Sequence, residues 1–95
     1  MNARNIRLKI SPTVAAKIWT KHAVSVQEVR EVFSNDESPV KIRRSDTVPG
    51  SYVAFGRTFA GRYLMVAFFP KAGGYANLAT AREMTERERQ RYERK

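Results

Sequence analysis

Residues 62–69 read Arg-Tyr-Leu-Met-Val-Ala-Phe-Phe, a nearly continuous apolar run that stands between Gly61 and Pro70. A run of this length between turn-forming residues is typical of a β-strand that is covered on both faces. We therefore predict that it forms the central strand of a sheet, and that the rest of the chain is arranged around it.

The neighbouring segments supply partners for this strand. Residues 52–56 form a second predicted strand, joined to the first through a turn at 58–61. Residues 75–80 form a third, after a turn at 70–74 that contains Pro70 and two glycines. Residues 40–44 have the character of a short edge strand. Together these segments predict an antiparallel meander of three or four strands.

Capping signals mark three helices. Ser11-Pro12 combines an N-cap residue with proline at the first helical position and opens a helix over 12–21. Ser25 and Glu28 form a capping box that opens a second helix over about 26–34. Thr85 and Glu88 form another, at the start of a charged C-terminal helix that ends near residue 94. Before the first helix, residues 6–10 alternate apolar and basic side chains as a half-buried strand does.

The predicted fold class is therefore α+β: two N-terminal helices, an antiparallel sheet of three to four strands and a C-terminal helix, in a single domain over 1–95. The chain has no cysteine and one histidine, which excludes disulfides and thiolate zinc sites and disfavours any zinc site, so no metal or cofactor is expected. No apolar run approaches the ~20 residues that span a bilayer, and the start lacks a signal-peptide core. We expect a cytoplasmic protein that does not bind membranes.

The positive charge is unevenly distributed. Eighteen Lys and Arg residues face nine Asp and Glu residues, for a net formal charge of +9. Residues 1–27 and 47–82 contain no acidic residue at all. Cations without local neutralisation create a field that attracts polyanions, and no segment combines a basic face with a strongly apolar one. This pattern favours nucleic acid as the partner.

Three motifs, in order along the chain, resemble BrnT-type toxins of the RelE/ParE-like superfamily. They are Lys21-His22-Ala23-Val24-Ser25 before a helix ending in Val32-Phe33, the hairpin Phe55-Gly56-Arg57 … Gly61-Arg62-Tyr63-Leu64-Met65-Val66, and the tail Ala81-Arg82-Glu83-Met84-Thr85-Glu86-Arg87-Glu88. The main departure is Ala23, which stands where the family pattern has glycine. If the backbone is left-handed there, as glycine would permit, alanine is strained.

The resemblance implies a RelE/ParE-like fold and a toxin of a type II toxin–antitoxin pair. Such toxins are ribonucleases that block translation, at the ribosome in some cases. The implied partner is a ribbon-helix-helix antitoxin, similar to BrnA, encoded beside the toxin. The antitoxin would cover the toxin and make any contact with operator DNA.

Metal-independent RNA cleavage requires a base, an acid and cations that stabilise the phosphorane. Arg82 is the first candidate for charge stabilisation, with a structural pair to Glu83 or Glu88 as its alternative role. Arg57 is the second candidate, or else an ordinary strand residue. His22 is the candidate acid or base, unless it bonds a backbone carbonyl in the turn between the helices. Lys21 is a base only if its pKa is depressed, and otherwise a solvated cation that attracts RNA.

Three further residues are candidates for RNA binding. Arg62 opens the central strand, where its alternative role is to flank the turn, and Lys71 lies in an acid-free turn. Tyr92 is the single aromatic residue of the last helix and either stacks on a base or anchors that helix.

Two other functions remain open. One is a basic module that binds RNA or the ribosome without cutting, which includes a diverged toxin that has lost activity. The weaker one is a gyrase-directed toxin, since one fold can serve different targets.

Overall fold

The computed structural model describes residues 6–94. Three helices and a five-stranded mixed sheet make up an α+β fold, which confirms the predicted class. The elements in chain order are β1 (Arg7–Lys9), α1 (Pro12–His22), α2 (Val26–Ser34), β2 (Lys41–Arg44), β3 (Tyr52–Arg57), β4 (Tyr63–Pro70), a short 3-10 turn (Ala72–Gly74), β5 (Tyr75–Glu83) and α3 (Glu86–Glu93).

The apolar run at 62–69 forms the middle of the sheet, as predicted. The strand order is β1-β5-β4-β3-β2, so β4 has two strands on each side. Strands β2 to β5 are antiparallel, and the β3–β4 hairpin pairs Phe55 with Met65 and Arg57 with Tyr63. All three predicted helix starts are present, with Ser11, Ser25 and Thr85 as N-caps.

The predicted antiparallel meander of four strands is present as β2 to β5, and the structure adds one strand to it. Strand β1 joins the sheet as a fifth strand and runs parallel to β5, pairing Arg7 with Tyr75. These two residues are 68 positions apart, so nothing in the local sequence around β1 reports its partner. Strand β5 also continues through Glu83 rather than ending at Thr80. The capping box at Thr85, and not the end of the apolar pattern, sets where it stops.

Helices α1 and α2 pack on one face of the sheet and enclose the core there. Side chains alternate between the two faces of a strand. One set from β4 therefore points into this core, while Tyr63, Met65 and Ala67 point to the opposite face. The buried core comprises Ile18, Val24, Val29, Val32, Ala54, Leu64, Val66, Phe68, Ala76, Leu78 and Ala81. The opposite face is crossed by α3, which contributes no fully buried residue.

The corner between α1 and α2 is closed by a left-handed residue. Ala23 has φ 52° and ψ 39°, and its amide donates to the carbonyl of Trp19 at 3.0 Å. The amide of Val24 donates to the carbonyl of Ile18 at 3.2 Å. This is the hydrogen-bond pattern in which helices usually end on glycine. Ala23 thus has the left-handed backbone in which alanine is strained.

Replacing Ala23 with glycine should therefore stabilise the protein. Left-handed backbone costs a residue with a Cβ about 1–2 kcal/mol, while glycine adds about 0.4–1 kcal/mol of unfolded-state entropy. We expect Ala23→Gly to raise the free energy of unfolding by roughly 0.5–1 kcal/mol in urea titrations. Ala16→Gly, at an exposed position inside α1, is the matched control and should lower it by about 1 kcal/mol. Equal destabilisation by both substitutions would contradict the strain at Ala23.

Candidate nucleic-acid interface on the open face of the sheet

The face of the sheet that points away from α1 and α2 is rich in cations, and we call it the open face. The registers assign it by alternation: Arg57 pairs with Tyr63, and Met65 pairs with Arg82. Strand β1 presents Leu8 to the core, so its two basic neighbours point the other way. The strand cations on the open face are Arg7, Lys9, Lys41, Arg43, Arg57 and Arg82.

A groove of about 320 Å³ lies on the open face beside the start of α3. Its floor is apolar and comes from β3 and β4, and its rim is mostly polar. The floor residues are Val53, Phe55, Met65 and Ala67, and the rim residues are Arg43, Ser45, Asp46, Thr47, Val48, Ser51, Arg82 and Glu88. Arg43 lies over the Phe55 ring at 5.4 Å and pairs with Asp46 at 3.1 Å.

Arg82 is held by a carboxylate within the same groove. Its two terminal nitrogens donate to the two oxygens of Glu88 at 2.8 and 3.1 Å. Glu88 also accepts from the amide of Thr85 at 2.8 Å, as the capping box predicts. The hydrogen bond from Arg82 lowers the pKa of Glu88 despite its partial burial. Glu88 is therefore ionised at neutral pH and poorly suited as a general base. Arg82 forms an ion pair with Glu88, which is the structural role that the sequence offered as its alternative.

Arg57 has no such partner. Its guanidinium lies 4.5 Å from the centre of the Tyr63 ring, and its Nε donates to the carbonyl of Gly61 at 3.2 Å. Within residues 6–94, no carboxylate is within ion-pair distance of it. Asn35, which follows α2, donates to the Arg57 carbonyl at 3.1 Å and so fixes the backbone at this position. Arg57 is thus a positioned cation whose terminal nitrogens are available to an anion.

Gly61 helps to position this arginine. It has φ +95°, in the region that favours glycine, and a Cβ built there would lie 2.8 Å from the Arg57 Nη2 atom. A side chain at Gly61 would therefore strain the turn and push the guanidinium aside.

A second arginine approaches the same ring from α3. The Arg89 guanidinium lies 4.2 Å from the centre of Tyr63, and the Tyr63 hydroxyl donates to Glu93 at 2.8 Å. Sequence reasoning did not select Arg89, nor Lys41 and Arg43 on the edge strand. The signal for the last two was present, because Lys41 and Arg43 alternate with Ile42, which packs on the core.

Tyr92 anchors α3 to the sheet, which was its alternative role. Its ring meets Tyr63 edge-on at 6.1 Å, and its hydroxyl donates to the carbonyl of Pro39 at 3.0 Å. Burial raises the pKa of the Tyr92 hydroxyl. Lys41 adds an interaction from β2, with its ammonium 5.0 Å from the centre of the Tyr92 ring.

Arg62 lies outside the open face and ties the helices to the sheet. It donates to the carbonyl of Ala23 at 2.7 Å and to that of His22 at 3.2 Å. It also pairs with Glu28 and Glu83, each at 3.2 Å. Burial opposes the charged form of Arg62, but hydrogen bonds to these two carboxylates outweigh it and raise its pKa. Its terminal nitrogens are therefore occupied by the fold itself.

The other predicted site residues are dispersed. Lys21 is exposed and His22 is half-buried at the end of α1, and neither lines the groove. Lys71 lies beyond Pro70, at the far end of β4 from Tyr63, which is roughly 25 Å for a strand of this length. Of the seven predicted residues, Arg57 and Arg82 are strand residues of the open face, and Arg82 alone of the seven lines the groove. Tyr92 lies on α3 and contacts Tyr63 and Lys41.

No protein-family model matches the chain, and no curated protein sequence matches it. Among solved structures, the chain is similar to a crystal structure of the Brucella abortus ribonuclease toxin BrnT. The match has a TM-score of 0.66 at 12% sequence identity and covers 85% of this chain and 99% of that chain. The fold is the BrnT fold. The fold implied by the resemblance of the three sequence motifs is thereby confirmed.

Neither a metal site nor a membrane span is found in the described part of the chain. Within residues 6–94, no three His, Asp or Glu side chains are grouped so that they could hold a metal ion. No helix in the same range is long and apolar enough to cross a bilayer. The open face offers guanidinium groups, which suit the binding of phosphates, and aromatic rings, which suit the stacking of bases.

The Arg82–Glu88 pair should make stability depend on pH. The pKa of Glu88 lies below its ordinary value of 4.5 in the folded protein, so the pair stabilises the fold above that value. The contribution is lost as the pH falls through the folded-state pKa. We expect Glu88→Gln to cost roughly 1 kcal/mol at neutral pH, after discounting for partial exposure, and to flatten the acid decline of the free energy of unfolding.

Denaturant titrations between about pH 7 and pH 3 would measure this effect. Glu86→Gln is the matched control, since Glu86 is an exposed acid in the same helical turn. Equal destabilisation of the two variants at neutral pH would show that the ion pair contributes nothing beyond helix charge.

Proposed function

We propose that this protein is the toxin of a type II toxin–antitoxin system, an endoribonuclease that cleaves RNA without a metal ion and inhibits translation. The observation that carries the proposal is the fold, which is shared along 85% of the chain with a structure described as a ribonuclease toxin. The cations of the open face support it, because RNA is a polyanion.

In this proposal, the 2′-oxygen of RNA attacks the adjacent phosphorus and the bond to the 5′-oxygen breaks, leaving a cyclic phosphate. Negative charge builds on the phosphoryl oxygens as this happens. Arg57 is best prepared to stabilise that charge, since its terminal nitrogens have no competing carboxylate among the described residues. Arg82 would contribute only after exchanging Glu88 for phosphate, so we place it second.

The candidate proton-transfer residues, His22 and Lys21, do not line the groove. The groove lining holds no histidine, and Glu88 is held ionised by Arg82. His22 and Lys21 remain the proposed proton-transfer residues. They would have to reach the reacting oxygens of an RNA that extends from Arg57 to the end of α1.

The proposed protein partner is a ribbon-helix-helix antitoxin encoded next to the toxin. It would neutralise the toxin by covering the open face and would itself make any contact with operator DNA. The sequence suggested an acidic covering surface at Arg57, Arg62 and Arg82. Because Arg62 lies outside the open face and is held by Glu28 and Glu83, the acidic surface is now expected where the antitoxin meets Arg57 and Arg82. A neutral or basic covering surface in a complex would refute this part of the proposal.

A binding module without catalysis is the second candidate function. It is favoured by one observation, the ion pair that occupies Arg82 where a catalytic arginine would be expected to be free. RNA affinity that falls with salt, without cleavage product and without arrest of growth on expression, would select it. DNA-damage signalling in place of translation arrest would instead select a gyrase-directed toxin.

Substitution of Arg57 tests the enzymatic proposal. Removing one donor to a developing oxyanion typically costs about 10²–10³-fold in rate, so Arg57→Ala should slow RNA cleavage in EDTA by at least about 100-fold. Arg57→Lys should retain part of the activity, because it keeps the charge but loses the planar fork. The readout is the rate of product formation from labelled RNA, with translation extract added in parallel reactions.

Arg44→Ala provides the matched control, because Arg44 is exposed on β2 and its side chain points away from the open face. It should cleave at the wild-type rate. If wild type, Arg57→Ala and Arg44→Ala are all equally inactive with and without ribosomes, the protein is not a ribonuclease.

A further inference from the structure

A second group of cations surrounds Tyr75, at the edge of the sheet away from β2. The Lys9 ammonium lies 4.6 Å from the centre of the Tyr75 ring, and the Arg7 guanidinium lies at 5.6 Å. Arg7 also donates to the Tyr75 hydroxyl at 3.4 Å. The amide of Lys71 donates to the Tyr75 carbonyl at 2.7 Å, which holds the β4–β5 turn beside the ring. We call Arg7, Lys9, Lys71 and Tyr75 the Tyr75 cluster.

The Tyr75 cluster has no counter-charge within residues 6–94. None of its three cations forms an ion pair there, and all three are exposed. The acid-free segments of the sequence explain this, because β1 and the β4–β5 turn belong to the two stretches without Asp or Glu. Like charges repel one another, so an anion bound among these three cations would reduce their mutual repulsion.

The Tyr75 cluster lies on the same open face as the groove but at some distance from it. Arg7 and Lys9 point away from the core because Leu8 points into it. Along β5, Tyr75 and Arg82 are separated by most of the strand, roughly 23 Å at the usual rise per residue. One phosphate group cannot contact both places, whereas a nucleic-acid strand lying along β5 can.

The arrangement fits a nucleic-acid backbone better than a small anion. The donors are exposed and arranged around a ring, so they match a row of phosphates rather than enclose a single one. An aromatic side chain between cations also provides a surface on which a base can stack. Arg62 and Arg82 are less available to phosphate than these cations, because carboxylates of the protein already bind them.

We propose that the Tyr75 cluster is a second binding site for the RNA backbone, which holds the strand at a distance from the groove. It deepens the proposed function and rests on RNA being the ligand of the open face. It contributes affinity for RNA and takes no part in bond cleavage, so its removal should weaken the binding of long RNA.

The test measures binding apart from cleavage. The probe is a fluorescent 2′-O-methyl RNA of roughly 16 nucleotides, which lacks the attacking hydroxyl, and anisotropy is read over a range of salt concentrations. The double variant Arg7→Gln/Lys9→Gln should bind more weakly than wild type. The slope of log K against log salt should shrink by roughly 0.7 for each phosphate that the variant no longer neutralises.

The control double variant is Lys17→Gln/Arg87→Gln. It removes the same charge from exposed positions on α1 and α3, and its salt slope should stay close to that of wild type. Equal slopes for the two double variants would overturn the proposal, because only net charge would then matter. Stronger binding of wild type to anionic lipid vesicles than to RNA, with the same dependence on Arg7 and Lys9, would overturn it in favour of a membrane surface.

The same variants distinguish failure of the second site from failure of the ribonuclease. A wild-type protein that binds RNA through the Tyr75 cluster but never cuts it would retain the second site and lack the ribonuclease activity. If the protein cleaves RNA but the Arg7→Gln/Lys9→Gln variant binds long RNA as tightly as wild type, the ribonuclease activity stands and the second site is refuted.

Discussion

The guanidinium of Arg62 is the group on which the arrangement of the two layers depends. It binds the last carbonyls of α1, the capping carboxylate of α2 and Glu83 at the end of β5. The Glu28 carboxylate therefore serves twice: it accepts from the Ser25 amide in the cap of α2, and it forms an ion pair with Arg62. The left-handed turn at Ala23 places the α1 carbonyls within reach of this guanidinium. Helix packing, strand ends and the inter-helix turn therefore depend on one another at this corner.

The arginines of this fold divide into those that carboxylates hold and those that none holds. Arg62 and Arg82 belong to the first group, and Arg57 and Arg7 belong to the second within residues 6–94. A bound pair must be broken before phosphate can enter, and the cost is that of a charge-assisted hydrogen bond. Phosphate binding on this sheet should therefore cost less at the unpaired cations than at the arginines that carboxylates already hold.

Much of this organisation could be predicted from sequence, because its causes are local. Capping residues identified all three helix starts, and the apolar run at 62–69 identified the central strand. What could not be predicted depends on contacts distant in sequence, such as the parallel pairing of β1. The sequence likewise favours Arg82 over Arg57, because the ion pair that occupies Arg82 depends on a tertiary contact. The choice between a free and a paired guanidinium depends on where α3 packs, and no local pattern encodes that.

The parallel pairing of β1 has a consequence for the order in which the protein is built. During synthesis the first strand is made early, but its partner Tyr75 follows 68 residues later. Until then β1 has no edge to join, and closing so long a loop makes it a late step of folding. The Tyr75 cluster at that edge therefore forms only when the chain is complete through β5. A shorter, partly synthesised chain carries Arg7 and Lys9 but does not hold them beside Tyr75.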